Sequence, residues 1–82
     1  MEGIKNAYYY KEESKKALLK DILNNIIIDS NKGDFVNFRL LRINGNVELK
    51  QFIINELDKH GFKSEIDKYD NLKITWDEAK ES

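Results

Sequence analysis

The chain offers one histidine, His60, and no cysteine. Thiolate zinc sites, disulfides and a cysteine nucleophile are therefore excluded. As a general base His60 would need a nucleophile or an orienting carboxylate, and Glu56 and Asp58 are merely its sequence neighbours. Its place just before Gly61 reads instead as a helix C-terminus, where a partly charged imidazole suits the helix dipole. The carboxylates Glu65, Asp67, Asp70, Asp77 and Glu78 invite an acid–base or metal reading. Their setting explains them more simply as the charges that keep an edge strand and its turn soluble. Neither Gly33 nor Gly45 belongs to a phosphate-cradling motif. The sequence thus predicts no catalytic residue, no metal and no cofactor.

Two other groups could recognise a ligand or partner. Tyr8, Tyr9 and Tyr10 are consecutive, so they cannot all share one helix side, and at least one is expected to be exposed or to point into a partner. With Lys5, Lys11, Lys15 and Lys16 nearby, stacking plus phosphate attraction could build a nucleic-acid platform. The net charge of −1 and pI near 5.8 oppose that, since such binders are basic. The tyrosines are better read as anchors against the sheet or a second subunit. Arg39 and Arg42, with Tyr9, could grip the phosphate and stack the base of a small nucleotide between subunits.

Leu19, Ile22, Leu23, Ile26 and Ile27 recur at helical spacing and predict a long helix over 7–29. A strand follows over 35–43, then the turn Asn44-Gly45-Asn46. Asn46 is the natural N-cap of a second helix over 47–60, and Gly61-Phe62 is its stop. Phe62, Ser64 and Ile66 alternate with charged residues, as do Leu72, Ile74 and Trp76 across a turn at Asp70-Asn71, which predicts a hairpin. The order α-β-α-β-β predicts an α+β, two-layer sandwich, a small three-stranded sheet packed by two helices. Eighty-two residues make a single domain over 1–82, with 1–6 and 77–82 as flexible ends. No apolar run reaches the roughly 18 residues of a membrane span, and the N-terminus lacks a signal-peptide h-region. A cytoplasmic location without membrane contact is the expectation.

The strand at 35–43 is apolar on both sides. Val36, Phe38 and Leu40 share one face and Phe35, Leu41 and Ile43 the other. Two helices cover only one face of such a sheet. Leaving three large apolar side chains wet costs about 1.5–3 kcal/mol each, a large share of a small domain's stability. A homo-oligomer, with a dimer favoured, is therefore predicted. Its interface residues would be Tyr8, Tyr9, Tyr10, Phe35, Leu41, Ile43 and Trp76.

A helix beginning at Val47-Glu48-Leu49 and ending in His60-Gly61-Phe62, followed by a strand closing on Leu72-Lys73-Ile74-Thr75-Trp76, resembles small uncharacterised proteins of tailed bacteriophages and prophages. The resemblance spans residues 12–76. It implies a viral accessory or virion-associated role in the host cytoplasm and assigns no activity and no functional residues. The leading expectation is a non-enzymatic protein acting by oligomerisation and protein–protein binding, in host takeover, anti-defence or a minor structural role, with a host protein as a further partner. The alternatives are a binder, or sponge, of a small nucleotide signal and a weak nucleic-acid binder.

Overall fold

The computed structural model describes residues 3–79. Helix α1 (Ala7–Asn31) is followed by β1 (Val36–Leu40), α2 (Val47–Lys59), β2 (Lys63–Ile66) and β3 (Asn71–Thr75). This is the predicted α+β order, with helices packed on a three-stranded antiparallel sheet.

Short-range chemistry explains the boundaries. Asn6 Oδ1 accepts the Tyr9 N–H at 2.9 Å, and Asn46 Oδ1 accepts the Leu49 N–H at 3.1 Å; each side chain satisfies a donor the helix itself leaves free. Asn44 and Gly45 both adopt positive φ, 52° and 68°, and the Asn46 N–H bonds the Ile43 carbonyl at 3.0 Å. That is the turn an Asn-Gly pair favours. At the end of α2 the Gly61 N–H reaches the Asp58 carbonyl and the Phe62 N–H the Leu57 carbonyl, both at 3.0 Å. This double closure needs a left-handed residue, and Gly61 has φ 85°.

The strand order is β1-β3-β2, and both outer strands run antiparallel to β3. β1 and β2 therefore share a direction, as a helical crossover between them requires, but β3 is inserted between them. The last strand to be made is thus the central one. Centrality explains its burial: Leu72 and Ile74 are fully enclosed, meeting Ile22 and Ile26 of α1, Ile53 and Leu57 of α2, and Leu41 and Ile43 of the β1–α2 connection. The turn lies at residues 67–70 rather than at Asp70-Asn71. The Asp67 N–H bonds the Asn71 carbonyl at 3.1 Å, and Asn71 already belongs to β3.

The two faces of β1 are assigned opposite to expectation. Directly paired residues of an antiparallel ladder share a face. Asn37 pairs with the buried Ile74 and Arg39 with the buried Leu72, so these polar residues face the helices. Val36, Phe38 and Leu40 occupy the bare outer face, where Phe38 is 70% and Leu40 59% exposed. Leu41 and Ile43, expected at an interface, are 2% and 9% exposed and belong to the core of one chain. The reason is electrostatic. Arg39 forms an ion pair with Asp21, and Asn37 donates to Asp29, both on α1, so the inner face of β1 is bound to the helix by polar contacts instead of apolar ones.

The flexible ends expected at 1–6 and 77–82 fall partly on residues 1, 2 and 80–82, which lie outside the described residues. Within them, Lys5 N–H donates to the Tyr10 hydroxyl at 3.2 Å and Lys63 pairs with Glu78.

Candidate binding surface

The largest exposed apolar surface on the sheet belongs to β1. Its outer side chains are Val36, Phe38 and Leu40, and Phe35, just before the strand, is 60% exposed. The ladder places Thr75, Lys73 and Asn71 of β3 beside them and Lys63 and Glu65 of β2 beyond. The face is therefore graded, apolar at one edge and charged at the other. An open depression crosses it, lined by Phe38, Leu40, Ile66, Leu72, Lys73 and Glu65.

The main chain adds a second feature. The Trp76 N–H bonds the Phe35 carbonyl at 3.1 Å, and the Leu41 N–H bonds the Asp70 carbonyl at 2.8 Å. In an antiparallel ladder alternate residues direct their N–H and C=O groups to the same neighbour. Phe35, Asn37, Arg39 and Leu41 thus face β3, and the backbone groups of Val36, Phe38 and Leu40 face the open edge.

The tyrosines lie elsewhere. Tyr8, Tyr9 and Tyr10 are 67%, 42% and 43% exposed at the start of α1. They do not anchor the helix on the sheet. A 25-residue helix extends about 37 Å, against about 17 Å for a five-residue strand, so its first turns project beyond the sheet. Tyr9 and Tyr10 meet edge to face at 5.2 Å, and Lys5 lies over Tyr9 at 5.9 Å. The other lysines expected to support nucleic acid are engaged: Lys11 with Glu48, Lys15 with Glu12 and Lys16 with Glu13. Trp76 is half-buried, edge to face with Phe62 at 5.9 Å.

Arg39, Arg42 and Tyr9 do not form one site in a single chain. Arg39 is held at Asp21, twelve residues from Tyr9 along α1, or about 18 Å of helix. Arg42 instead rims a cavity of about 390 Å³ between α1 and the β1–α2 connection, with Lys11 and Lys15 above an apolar floor of Leu18, Ile43 and Leu49. Among the described residues Arg42 makes no ion pair.

His60, Asp67 and Glu78 are each engaged within the fold. His60 Nδ1 lies 2.9 Å from the Glu56 carbonyl, at the helix end where it was expected. Asp67 accepts the Asn71 N–H and side-chain amide and the Tyr69 N–H; these bonds, those from Asn71 foremost, hold its carboxyl below the usual range. The hydrogen bond from Lys63 lowers Glu78 and raises Lys63 in turn. No group of three histidines or carboxylates is placed to hold a metal ion among the described residues, and no helix there is long and apolar enough to cross a membrane.

The β1 surface was legible in part. The alternation of Val36, Phe38 and Leu40 is visible in the sequence; that it faces outward follows from Asp21 and Asp29, eight apart on one flank of α1, which draw Arg39 and Asn37 inward. Comparison with protein families, curated proteins and solved structures finds no match for this chain.

Proposed function

We propose that this protein acts by binding another protein rather than by catalysis, and that the outer face of β1 is its contact surface. The observation that carries the reading is the joint exposure of Phe38 and Leu40 on a strand whose outer edge is open. Wetting such side chains costs about 1.5–3 kcal/mol apiece relative to burial, and contiguous apolar patches on a small soluble chain mark interaction sites. On the resemblance to small phage proteins alone, the role is that of an accessory factor. The test is capture from bacterial lysate with the wild type and with the double variant Phe38→Lys/Leu40→Lys. Loss of specific partners from the variant supports the reading; an identical set of partners overturns it.

A second reading is favoured by the cavity beside α1. Arg42, unpaired among the described residues, stands over an apolar floor, which suits a small phosphate-bearing ligand such as a nucleotide. Calorimetry against a nucleotide panel decides it, with Arg42→Ala expected to abolish any heat of binding.

A further inference from the structure

We infer that the open edge of β1 pairs with the β1 strand of a second copy of this chain, antiparallel about a two-fold axis at Phe38. The inference rests on the outer face of β1 being a binding surface and identifies its occupant.

The strand is self-complementary in this register. Centred on Phe38, the pairing sets Phe38 against Phe38, Val36 against Leu40, and Asn37 against Arg39. All three residues whose backbone groups face the edge would exchange hydrogen bonds with the second copy. Their side chains, apolar without exception, would join into one strip on the outer face. A shift of the axis to Arg39 would oppose two guanidinium groups, and a shift to Leu40 would set Phe38 against Arg42. Charge and hydrophobicity therefore select the same register.

An independent observation points to the same occupant. Asn37 Oδ1 is buried and accepts no hydrogen bond, while its Nδ2 is committed to Asp29. A buried acceptor without a donor costs about 1–3 kcal/mol. The proposed register places Arg39 of the second copy directly opposite Asn37, as a non-hydrogen-bonded pair whose side chains approach most closely. A guanidinium carries five N–H donors, and one nitrogen of Arg39 bonds Asp21. The pairing brings a donor beside this acceptor, and a small turn of the Asn37 side chain would present it.

The other edge of the sheet shows the contrast. β2 is four residues long, and its outer side chains are Lys63 and Glu65, the charges that discourage pairing. On β1 the one charge, Arg39, points inward and is neutralised by Asp21. A five-residue strand pair is small beside the roughly 1,200 Å² of a stable interface, and the flank of α1 beside β1 offers further apolar surface. Ile28 is seven residues from Asp21, within about 20° of it around the helix. It therefore lies on the flank that Arg39 marks as nearest the β1 edge, and it is 51% exposed.

The test combines mass with geometry. Sedimentation of the full chain at micromolar concentration should give twice the 9.7 kDa of one copy. The chain has no cysteine of its own, so Phe38→Cys introduces a single thiol that meets its own copy at the axis. The Cα separation expected there, about 5.5 Å, lies in the range a disulfide spans. Mild oxidation should convert most of this variant to a covalent dimer and leave Glu65→Cys without a covalent link. Phe38→Pro, which removes an N–H that β3 does not use, should halve the mass without melting the fold. A monomer at all concentrations, or a dimer in which Phe38→Cys fails to link, overturns the inference. Either result leaves Phe38 and Leu40 available to a different protein, so the binding reading falls only on its own lysate comparison.

Discussion

Asp70 receives the backbone N–H of Gly45 on both carboxylate oxygens, at 3.2 and 3.1 Å. Among the described residues it is the one buried polar residue, 9% exposed, and Lys50 lies 3.6 Å from it. Its own carbonyl takes the Leu41 N–H. One residue of the β2–β3 turn thus fastens both the end of β1 and the turn that starts α2. The loop carrying Arg42 and the strand carrying Phe38 are held in place from the far side of the chain.

This relationship predicts the cost of removing the carboxylate. Asp70 has φ 65°, a conformation glycine adopts more easily, so Asp70→Gly relieves backbone strain while deleting the clamp. The expected outcome is a net loss of about 1–3 kcal/mol in urea unfolding, because the Gly45 donor is left without its partner. Unchanged stability would show that the clamp contributes nothing.

Adjacent residues on β1 should respond in opposite ways. Leu41 is 2% exposed and Leu40 59%. Leu41→Ala should cost about 2–5 kcal/mol through the cavity it leaves, and Leu40→Ala within about 0.5 kcal/mol of nothing to the single chain. Chemical denaturation of the two variants in parallel, at concentrations low enough to exclude self-association, measures the difference.

The helix caps differ in reach. Asn46 caps α2, which packs on the core through Ile53 and Leu57, so Asn46→Ala should lower global stability by about 1 kcal/mol. Asn6 caps the projecting start of α1. Asn6→Ala should fray the turns bearing Tyr8, Tyr9 and Tyr10, seen as faster amide exchange there, with little change in the global unfolding midpoint.

Asp67 gives the hairpin a defined acid sensitivity. Hydrogen bonds from Asn71 and Tyr69 lower its carboxyl from the ordinary value of 3.8. A depressed folded-state pKa contributes stability that is fully present above 3.8 and is lost as pH falls through the folded value. Nuclear magnetic resonance titration should show the Asp67 carboxylate protonating below the ordinary value, with Tyr69 and Asn71 amide signals moving alongside it. Asp67→Ala should abolish that acid transition while leaving neutral-pH sheet resonances in place.

Local chemistry along the chain was sufficient for the element order, the Asn46 cap, the Asn-Gly turn, the Gly61 stop and the place of His60 at a helix end. Each depends on contacts between residues a few positions apart, and side-chain type and spacing decide those. The faces of β1 depended on more. Counting apolar residues put Val36, Phe38 and Leu40 inside, but Asp21 and Asp29, 18 and 8 residues away along the chain, draw Arg39 and Asn37 in by charge and hydrogen bonding. The insertion of β3 between β1 and β2 likewise arises only once the hairpin folds back, because period-two alternation states which residues share a face and not which strand lies beside which. Tertiary structure decided which side of the strand meets water, since that depends on partners remote in sequence.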